Sequence, residues 1–216
     1  MIANFDETFL VWGSNKWKVI TKSTNGRYST EIKTDEHTTL CATIFGDGTN
    51  LPTLVIIPRV FLPEEINYKS FPSFDWTGQK NGWIDKDIFD CYCRQVLIPE
   101  FKRRRKLLPA DKRRGLLILN GHSTRQNASL MKAFLEAEID VAILPAHTSH
   151  VTQPLDVCLF AIFKRRLVPL IDYKHATTTA ERRLALLKSA QLAFQSAACT
   201  YYIEEGWNYT KRQQHR

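Results

Sequence analysis

Two short, wholly apolar segments separated by a helix-length segment limit the possible folds more than any other feature. Residues 115–119 (GLLIL) and 141–144 (VAIL) each suit one strand, and the apolar spacing over 126–138 predicts a helix between them. Strands without a polar face are typical of a sheet covered by helices on both sides. Two strands joined through a helix should be parallel. The sequence therefore predicts a parallel β-α-β unit inside an α/β domain.

The N-terminal third predicts strands of a different kind. β-branched and apolar residues mark three of them: 4–12, 38–45 and 54–57. The turn signal Gly46-Asp47-Gly48 joins the second to the third, which predicts an antiparallel start. A further short strand is predicted at 30–33, and irregular chain over 58–79.

The remaining segments predict helices. One begins at the N-cap Asp85 and is disturbed near its end by Pro99, one begins at Asp156, and one spans 180–202. The predicted element order is three strands, a helix, a strand, a helix, a strand and further helices. This is the element order of an RNase H-like fold. We therefore predict a single α/β domain over 1–216, with a mixed five-stranded sheet (three antiparallel strands, then two parallel) flanked by helices.

Composition narrows the class of function. Thirty Lys and Arg outnumber 22 Asp and Glu, and a formal charge of +8 favours a polyanionic partner or is simply that of a basic protein. No stretch approaches the roughly 18 apolar residues of a membrane span, and no signal-peptide pattern follows Met1. The cysteines form no CxxC pair, and Cys91 and Cys93 should point to different helix faces. Free thiols are therefore predicted rather than disulfides or a zinc site.

Three polar positions stand where strands or helices begin or end. Asp6 lies in the first strand, Asn120 directly follows strand 115–119, and Asp156 begins a helix. Ligand sites of open α/β sheets lie at the carboxyl ends of strands. We therefore expect these three side chains to converge at one edge of the sheet.

The segments around these positions resemble the DDE endonuclease core of pogo/Tigger-type transposases, relatives of the mariner transposases and of centromere protein B. The resemblance rests on five segments in order: NFDET (4–8), LPTLVII (51–57), NGWIDKDIF (81–89), LILNGHSTRQN (117–127) and AILPAHTSHVTQPLDVCLFAIFKRRL (142–167). The last is the most specific. Together the segments cover nearly the whole chain.

The resemblance implies a triad of acids at positions 6, 120 and 156 that binds two Mg2+ or Mn2+ ions. Such ions activate an attacking water or 3′-hydroxyl in DNA cleavage and strand joining. The spacing suits the family, since 35 residues (121 to 155) separate the last two positions. Asp6 and Asp156 are the predicted metal ligands. The resemblance also implies a possible homodimer on DNA, no small-molecule substrate and a nuclear location. The family's helix-turn-helix region is not expected before Asp6.

Asn120 departs from the family pattern, because an amide oxygen can coordinate a cation but brings no negative charge. The neighbouring Glu7 should face away from Asp6. We therefore expect weakened metal binding and strongly reduced or absent strand cleavage. The Asn is either an engineered knockout or a change in a decayed or domesticated copy. The alternative function is a non-enzymatic DNA-binding or scaffold protein resembling centromere protein B; a generic basic α/β binding domain is a third.

Basic runs and loop side chains supply candidate DNA contacts. Phosphate contacts made by Lys and Arg are independent of base sequence and sensitive to salt. The run at 102–106 could also serve nuclear import, and the histidines near the site could order loops instead of touching DNA. The candidate DNA-binding residues are Lys102, Arg103, Arg104, Arg105, Lys112, Arg113, Arg114, His122, His150, Gln153, Lys164 and Arg165.

Overall fold

The computed structural model describes residues 1–11, 37–110, 113–122, 127–145 and 148–213. Its strands are β1 (Ile2–Val11), β2 (His37–Phe45), β3 (Thr53–Ile57), β4 (Phe74–Gly78), β5 (Gly115–Leu119) and β6 (Ile139–Ile143). They form one six-stranded sheet in the order β4-β3-β2-β1-β5-β6. β1, β2 and β3 pair antiparallel, whereas β1-β5 and β5-β6 are parallel. This mixed α/β sheet has the RNase H-like arrangement expected from the element order. The strand predicted at 30–33 lies outside the described residues.

A sixth strand was missed in the sequence. β4 lies within residues 58–79, which we predicted to be irregular, and it pairs parallel to β3. Its alternation is short: Phe74 is buried, Asp75 is exposed and Trp76 is half-buried. Because β4 is an edge strand of five residues in a Pro-rich segment, its pattern is too short to stand out.

The helices cover both faces of the sheet. They are α1 (Lys86–Tyr92), α2 (Ile98–Arg105), α3 (Ala128–Glu136), α4 (Ser149–Thr152), α5 (Phe160–Leu170), α6 (Thr179–Ala197) and α7 (Thr200–Gln213). The Asp85 side chain accepts a hydrogen bond from the Ile88 N–H, which confirms the predicted N-cap. Within the described part of the chain, each helix is too short or too polar to span a membrane.

Pro99 disturbs its helix, as predicted, but the helix continues beyond it to Arg105. A π-turn at Cys93–Leu97 connects α1 to α2, and the N–H of Ile98 bonds to the carbonyl of Cys93. Proline lacks an N–H and clashes with the preceding turn of a regular helix, whereas a π-turn widens the backbone at that point. Pro99 therefore lies in the first turn of α2, and the basic run from Lys102 is helical.

The long C-terminal helix predicted over 180–202 is in fact two helices. α6 ends at Ala197 and α7 begins at Thr200. The bend allows α7 to return to the sheet, where Ile203 is fully buried and Trp207 Nε1 donates to the Phe45 carbonyl at 3.0 Å. Burial of these two side chains outweighs the small propensity of the sequence for one continuous helix.

The alternation of β1 divides its side chains between two cores. Ala3 and Phe5 pack with α1, α2 and α3 on one face, whereas Leu10 packs with α5 and α6 on the other. Residues at even positions share the face of Leu10. Asp6 therefore points toward the helical layer that contains Asp156.

The cysteines follow the prediction. Cys91 is exposed and Cys93 is buried, so the two do lie on different faces of the helix. All five cysteines are free thiols.

Candidate functional site

The carboxyl end of β5 brings Asp6 and Asn120 together. β1 and β5 pair in parallel with Asn4 opposite Ile118, and the same register continued along both strands sets Asp6 opposite Asn120. The Asn120 Nδ2 donates a hydrogen bond of 2.9 Å to Asp6 Oδ1. Asp6 is only 4% exposed, so this bond lies in a poorly hydrated place, where a hydrogen bond to a carboxylate is strong.

The other polar atom of the Asn120 amide also has a partner. Its Oδ1 accepts a hydrogen bond from the backbone N–H of His122 at 3.3 Å. Only the nitrogen of an amide can donate to the Asp6 carboxylate, so the chemistry of Asp6 determines this orientation. The Oδ1, the one atom of Asn120 able to ligate a cation, is therefore directed toward the loop backbone.

Asn4 connects the third position to the first two. This side chain is fully buried, and its Nδ2 donates to the Ile118 carbonyl while its Oδ1 accepts from the Leu155 N–H, both at 3.1 Å. Ile118 lies just before Asn120 and Leu155 just before Asp156. One amide on β1 therefore links the two other segments that carry the site.

Asp156 is the second residue of a π-turn, Leu155–Leu159, which leads into α5. The turn is held by its fully buried residues Leu155 and Leu159. α7 packs closely against it, since a Cβ placed on Gly206 would lie 2.8 Å from the carbonyl oxygen of Pro154. The half-buried Asp156 is thus held by backbone packing as well as by Asn4.

The acidic side chains at this edge are too few for the family's triad. Glu7 leaves β1 on the face opposite to Asp6, as strand alternation predicts. Among the residues that the structure describes, no group of three or more His, Cys, Asp and Glu side chains is placed to hold a metal ion. The donor set of positions 6, 120 and 156 is therefore two carboxylates and one amide.

This donor set does not fit a two-ion centre. Two divalent cations carry four positive charges, and hard cations need several oxygen ligands, preferably carboxylates. Here Asp6 and Asp156 supply two negative charges. Asn120 directs an N–H donor at Asp6 Oδ1, where the family's pattern has a third carboxylate. A hydrogen bond thus neutralises part of the Asp6 charge that a cation would otherwise use.

Two residues of the first basic run bond to other parts of the protein. Arg104 bonds to Glu100 and Asp47, and Arg105 bonds to the carbonyls of Ala137 and Glu138. Their side chains are only 13% and 16% exposed. Both guanidinium groups therefore bond to the protein in this structure, and a DNA contact from either stays a prediction.

The basic runs also lie at different ends of the sheet. Arg114 precedes β5, and its carbonyl accepts from the N-terminal amine of Met1, at the edge opposite to Asn120. Lys164 instead lies 5.6 Å from the centre of the Phe9 ring, three residues beyond Asp6 on β1. Lys164 and its exposed neighbour Arg165 thus lie close to β1, on the helix that follows Asp156.

The remaining candidate DNA contacts differ in accessibility. His122 is exposed, as are Lys102, Arg103, Arg113 and Arg114, although Arg103 and Arg114 form ion pairs with Glu100 and Asp140. Gln153 is fully buried and its amide atoms have no hydrogen-bond partner. In this conformation Gln153 therefore does not reach a phosphate. Lys112 and the side chain of His150 lie outside the described part of the chain.

The sequence alone did not point to Asn4. Its signal is position: Asn4 lies two residues before Asp6 on β1, and alternation places both side chains on one face of the sheet. A polar side chain in a strand that is buried in the core needs hydrogen-bond partners. That requirement could have marked Asn4 as a linking residue.

Comparison with known proteins identifies a family and several relatives. A sequence profile described as DDE superfamily endonuclease matches residues 34–198, which include positions 120 and 156. The human protein named pogo transposable element with KRAB domain is 27% identical over 118 residues, and its mouse counterpart is 26% identical. The match spans 54% of this chain but only 18% of each relative.

Solved structures of the Mos1 transposase are also similar. Its catalytic domain with raltegravir and Mn has a TM-score of 0.48 and 11% identity, over 91% of this chain and 82% of that one. A paired-end complex of the mariner Mos1 transposase with Mg has a TM-score of 0.48 and 12% identity, over 96% of this chain and 53% of that one. Because the family profile covers well over half of the sequence, this chain belongs to the DDE superfamily of endonucleases.

Proposed function

We propose that this chain is a transposase-derived DDE endonuclease core that binds DNA and in which Asn120 strongly reduces or abolishes strand cleavage. The observation that carries the proposal is the hydrogen bond from Asn120 Nδ2 to Asp6 Oδ1. Through this bond the buried Asp6 carboxylate has a polar partner at the edge of the sheet without a bound cation. Mg2+ or Mn2+ would bind weakly, through Asp6 and Asp156 alone.

The charge of the protein supports DNA as the partner. The formal charge is +8, and the exposed cations lie at both ends of the sheet. Contacts from these side chains would be to phosphates, so affinity would fall steeply with salt and depend little on base sequence. The basic run from Lys102 also supports a nuclear location, where a DNA-binding protein would act.

The proposed loss of cleavage is tested by nicking of supercoiled plasmid with Mn2+. We expect the parent chain to nick no faster than its Asp6→Ala/Asp156→Ala variant, because the donor set is already incomplete. A parent rate about tenfold or more above that variant would mean that Asn120 supports catalysis, and the proposal would fail.

The sheet edge that carries Asp6, Asn120 and Asp156 is called the catalytic edge, and the proposed DNA contact there has its own test. Lys164→Gln/Arg165→Gln should lower duplex affinity about threefold to tenfold at low salt and reduce the salt slope by up to about 2. Fluorescence anisotropy over a salt series measures both. The matched control is Lys69→Gln/Lys188→Gln, which removes the same charge from exposed positions elsewhere. Equal effects of the two variants would indicate a general charge effect and contradict a contact at this edge.

A second candidate function is a non-enzymatic DNA-binding or scaffold protein resembling centromere protein B. It is favoured by the same Asn120–Asp6 hydrogen bond, since a core that no longer cuts is stabilised by an amide in place of an acid. The two proposals differ in residual metal binding by Asp6 and Asp156. Absence of any thermal stabilisation by Mn2+, together with retained duplex binding, favours the scaffold.

A further inference from the structure

Three aromatic rings form a continuous stack beyond the end of the catalytic edge. Phe9 of β1 stacks on His37 with ring centres 5.3 Å apart, and His37 stacks on Trp83 at 3.7 Å. The interplanar angles are 29° and 21°, so the rings lie nearly parallel. We name Phe9, His37 and Trp83 the ring stack.

The ring stack is unusually accessible for aromatic residues that contact one another. Phe9 is 50% exposed and Trp83 is 56% exposed. His37 is the only described ring that stacks on Trp83. Such side chains normally bury most of their area in a core or an interface. An exposed, ordered stack therefore indicates a surface that receives another flat group.

Hydrogen bonds hold the ring stack in place. The Thr39 hydroxyl donates its one proton to the Gly82 carbonyl at 2.6 Å, so His37 Nε2 must be the donor in its 3.0 Å contact with Thr39. Burial lowers the pKa of His37, which keeps the imidazole neutral near pH 7. The segment that carries Trp83 is thus tied to β2 by a side-chain relay.

Gly82 allows the segment that carries Trp83 to lie close against the backbone of His37. It has a φ of +70°, and a Cβ at this position would lie 2.0 Å from the His37 carbonyl oxygen. Only glycine fits so close to another backbone in this conformation. Trp83 is therefore set in position before any ligand arrives, which lowers the ordering cost of binding.

A cation and the site itself lie beside the ring stack. Lys164 Nζ is 5.6 Å from the centre of the Phe9 ring, and Phe9 is three residues beyond Asp6. Because three residues along a strand reverse the side-chain direction, Phe9 and Asp6 leave opposite faces of β1. The ring stack therefore lies next to the catalytic edge but on the face of β1 opposite to Asp6.

We propose that the ring stack binds an unpaired nucleobase of DNA, which stacks on the accessible Trp83, while Lys164 at the Phe9 end of the stack attracts a phosphate farther along the same strand. This inference rests on the proposed function, since it assumes DNA at this edge. Flat aromatic surfaces accept any base, because every base has a π-face, and a neighbouring cation tracks the backbone. Paired bases cannot reach Trp83 in this way, so the site selects single-stranded over duplex DNA.

The test measures binding of the full chain to a labelled 20-mer of dT and to a duplex of equal length. Trp83→Leu should weaken binding to the single strand about 5- to 100-fold while changing duplex affinity less than about twofold. An oligonucleotide with one 2-aminopurine should lose its quenching by the protein in this variant. Tyr201→Leu is the matched control, because Tyr201 is 65% exposed on α7 and outside the ring stack.

Other outcomes overturn the inference in distinguishable ways. Equal weakening on both DNAs would assign Trp83 to the sugar-phosphate backbone, and no weakening would remove it from DNA binding. A change of sedimentation without a change of DNA affinity would make the ring stack a protein contact. If the parent chain binds neither DNA, the proposed function fails as well; if it binds duplex normally and Trp83→Leu has no effect, only this inference fails.

Discussion

Replacing Asn120 with Asp is expected to destabilise the metal-free protein and to create a stabilisation by Mn2+ that the parent chain lacks. The substitution removes the 2.9 Å hydrogen bond to Asp6 and sets a second carboxylate beside that of Asp6. Asp6 is only 4% exposed, so water screens the two charges poorly. Loss of the hydrogen bond and repulsion between the carboxylates should together lower the free energy of unfolding by about 2–4 kcal/mol near pH 7 in EDTA. Urea denaturation measures this loss.

Mn2+ should reverse the loss in the Asn120→Asp variant. A cation between adjacent carboxylates removes their repulsion, and a ligand at one hundred times its Kd stabilises a protein by about 2.7 kcal/mol. The parent chain should gain far less, since its amide offers a donor to Asp6 instead of a charge. Thermal denaturation with EDTA and with millimolar Mn2+ compares the two proteins, and plasmid nicking should rise in the variant by about tenfold or more.

Two controls make this prediction specific. Asn50→Asp adds an acid at an exposed position and should show neither effect. Asp6→Ala in the Asn120→Asp background should abolish the response to Mn2+. Peptide mapping by mass spectrometry must find Asn at 120 in the parent, because Asn-Gly sequences deamidate readily. A parent chain that Mn2+ stabilises as much as the variant would contradict the role given to Asn120.

The parts of the fold that could be predicted are those encoded by strong local patterns. The apolar strand 115–119 and the helix after Asp85 need no partner to be recognised, since their composition and capping are local. The position of Asn120 follows from the rule that ligand sites lie at the carboxyl ends of strands. Asp6 lies within β1 and comes opposite Asn120 through the register of β1 and β5. The resemblance of the motif around Asp156 supplied the third position.

The parts that could not be predicted depend on tertiary packing. α7 separates from α6 because Ile203 and Trp207 find burial against the sheet, and no local signal marks that break. The basic run from Lys102 shows the same limitation, because its sequence does not reveal that Arg104 and Arg105 bond to the protein. The sequence shows which residues carry a charge, whereas the fold decides which of those charges DNA can reach.

Asn4→Ala is the other substitution for which we expect a large effect. It would remove a fully buried side chain and leave the Ile118 carbonyl and the Leu155 N–H without that hydrogen-bond partner. Each unsatisfied buried group costs about 1–3 kcal/mol, so the free energy of unfolding should fall by about 2–4 kcal/mol. Urea denaturation measures the loss. Asn50→Ala is the control, since Asn50 is exposed and its Nδ2 bonds to the carbonyl of the adjacent Leu51, and we expect a change within about 0.5 kcal/mol.

The loss in Asn4→Ala should be local as well as global, because Asn4 holds the segment that carries Asp156. Hydrogen exchange at the Leu155 amide should therefore accelerate more than the global destabilisation alone requires. In the Asn120→Asp background, Asn4→Ala should also reduce the stabilisation by Mn2+, since the two substitutions act on residues joined through β1 and β5 and should not be additive. Additive effects with unchanged protection at Leu155 would mean that Asn4 fills space in the core without positioning Asp156.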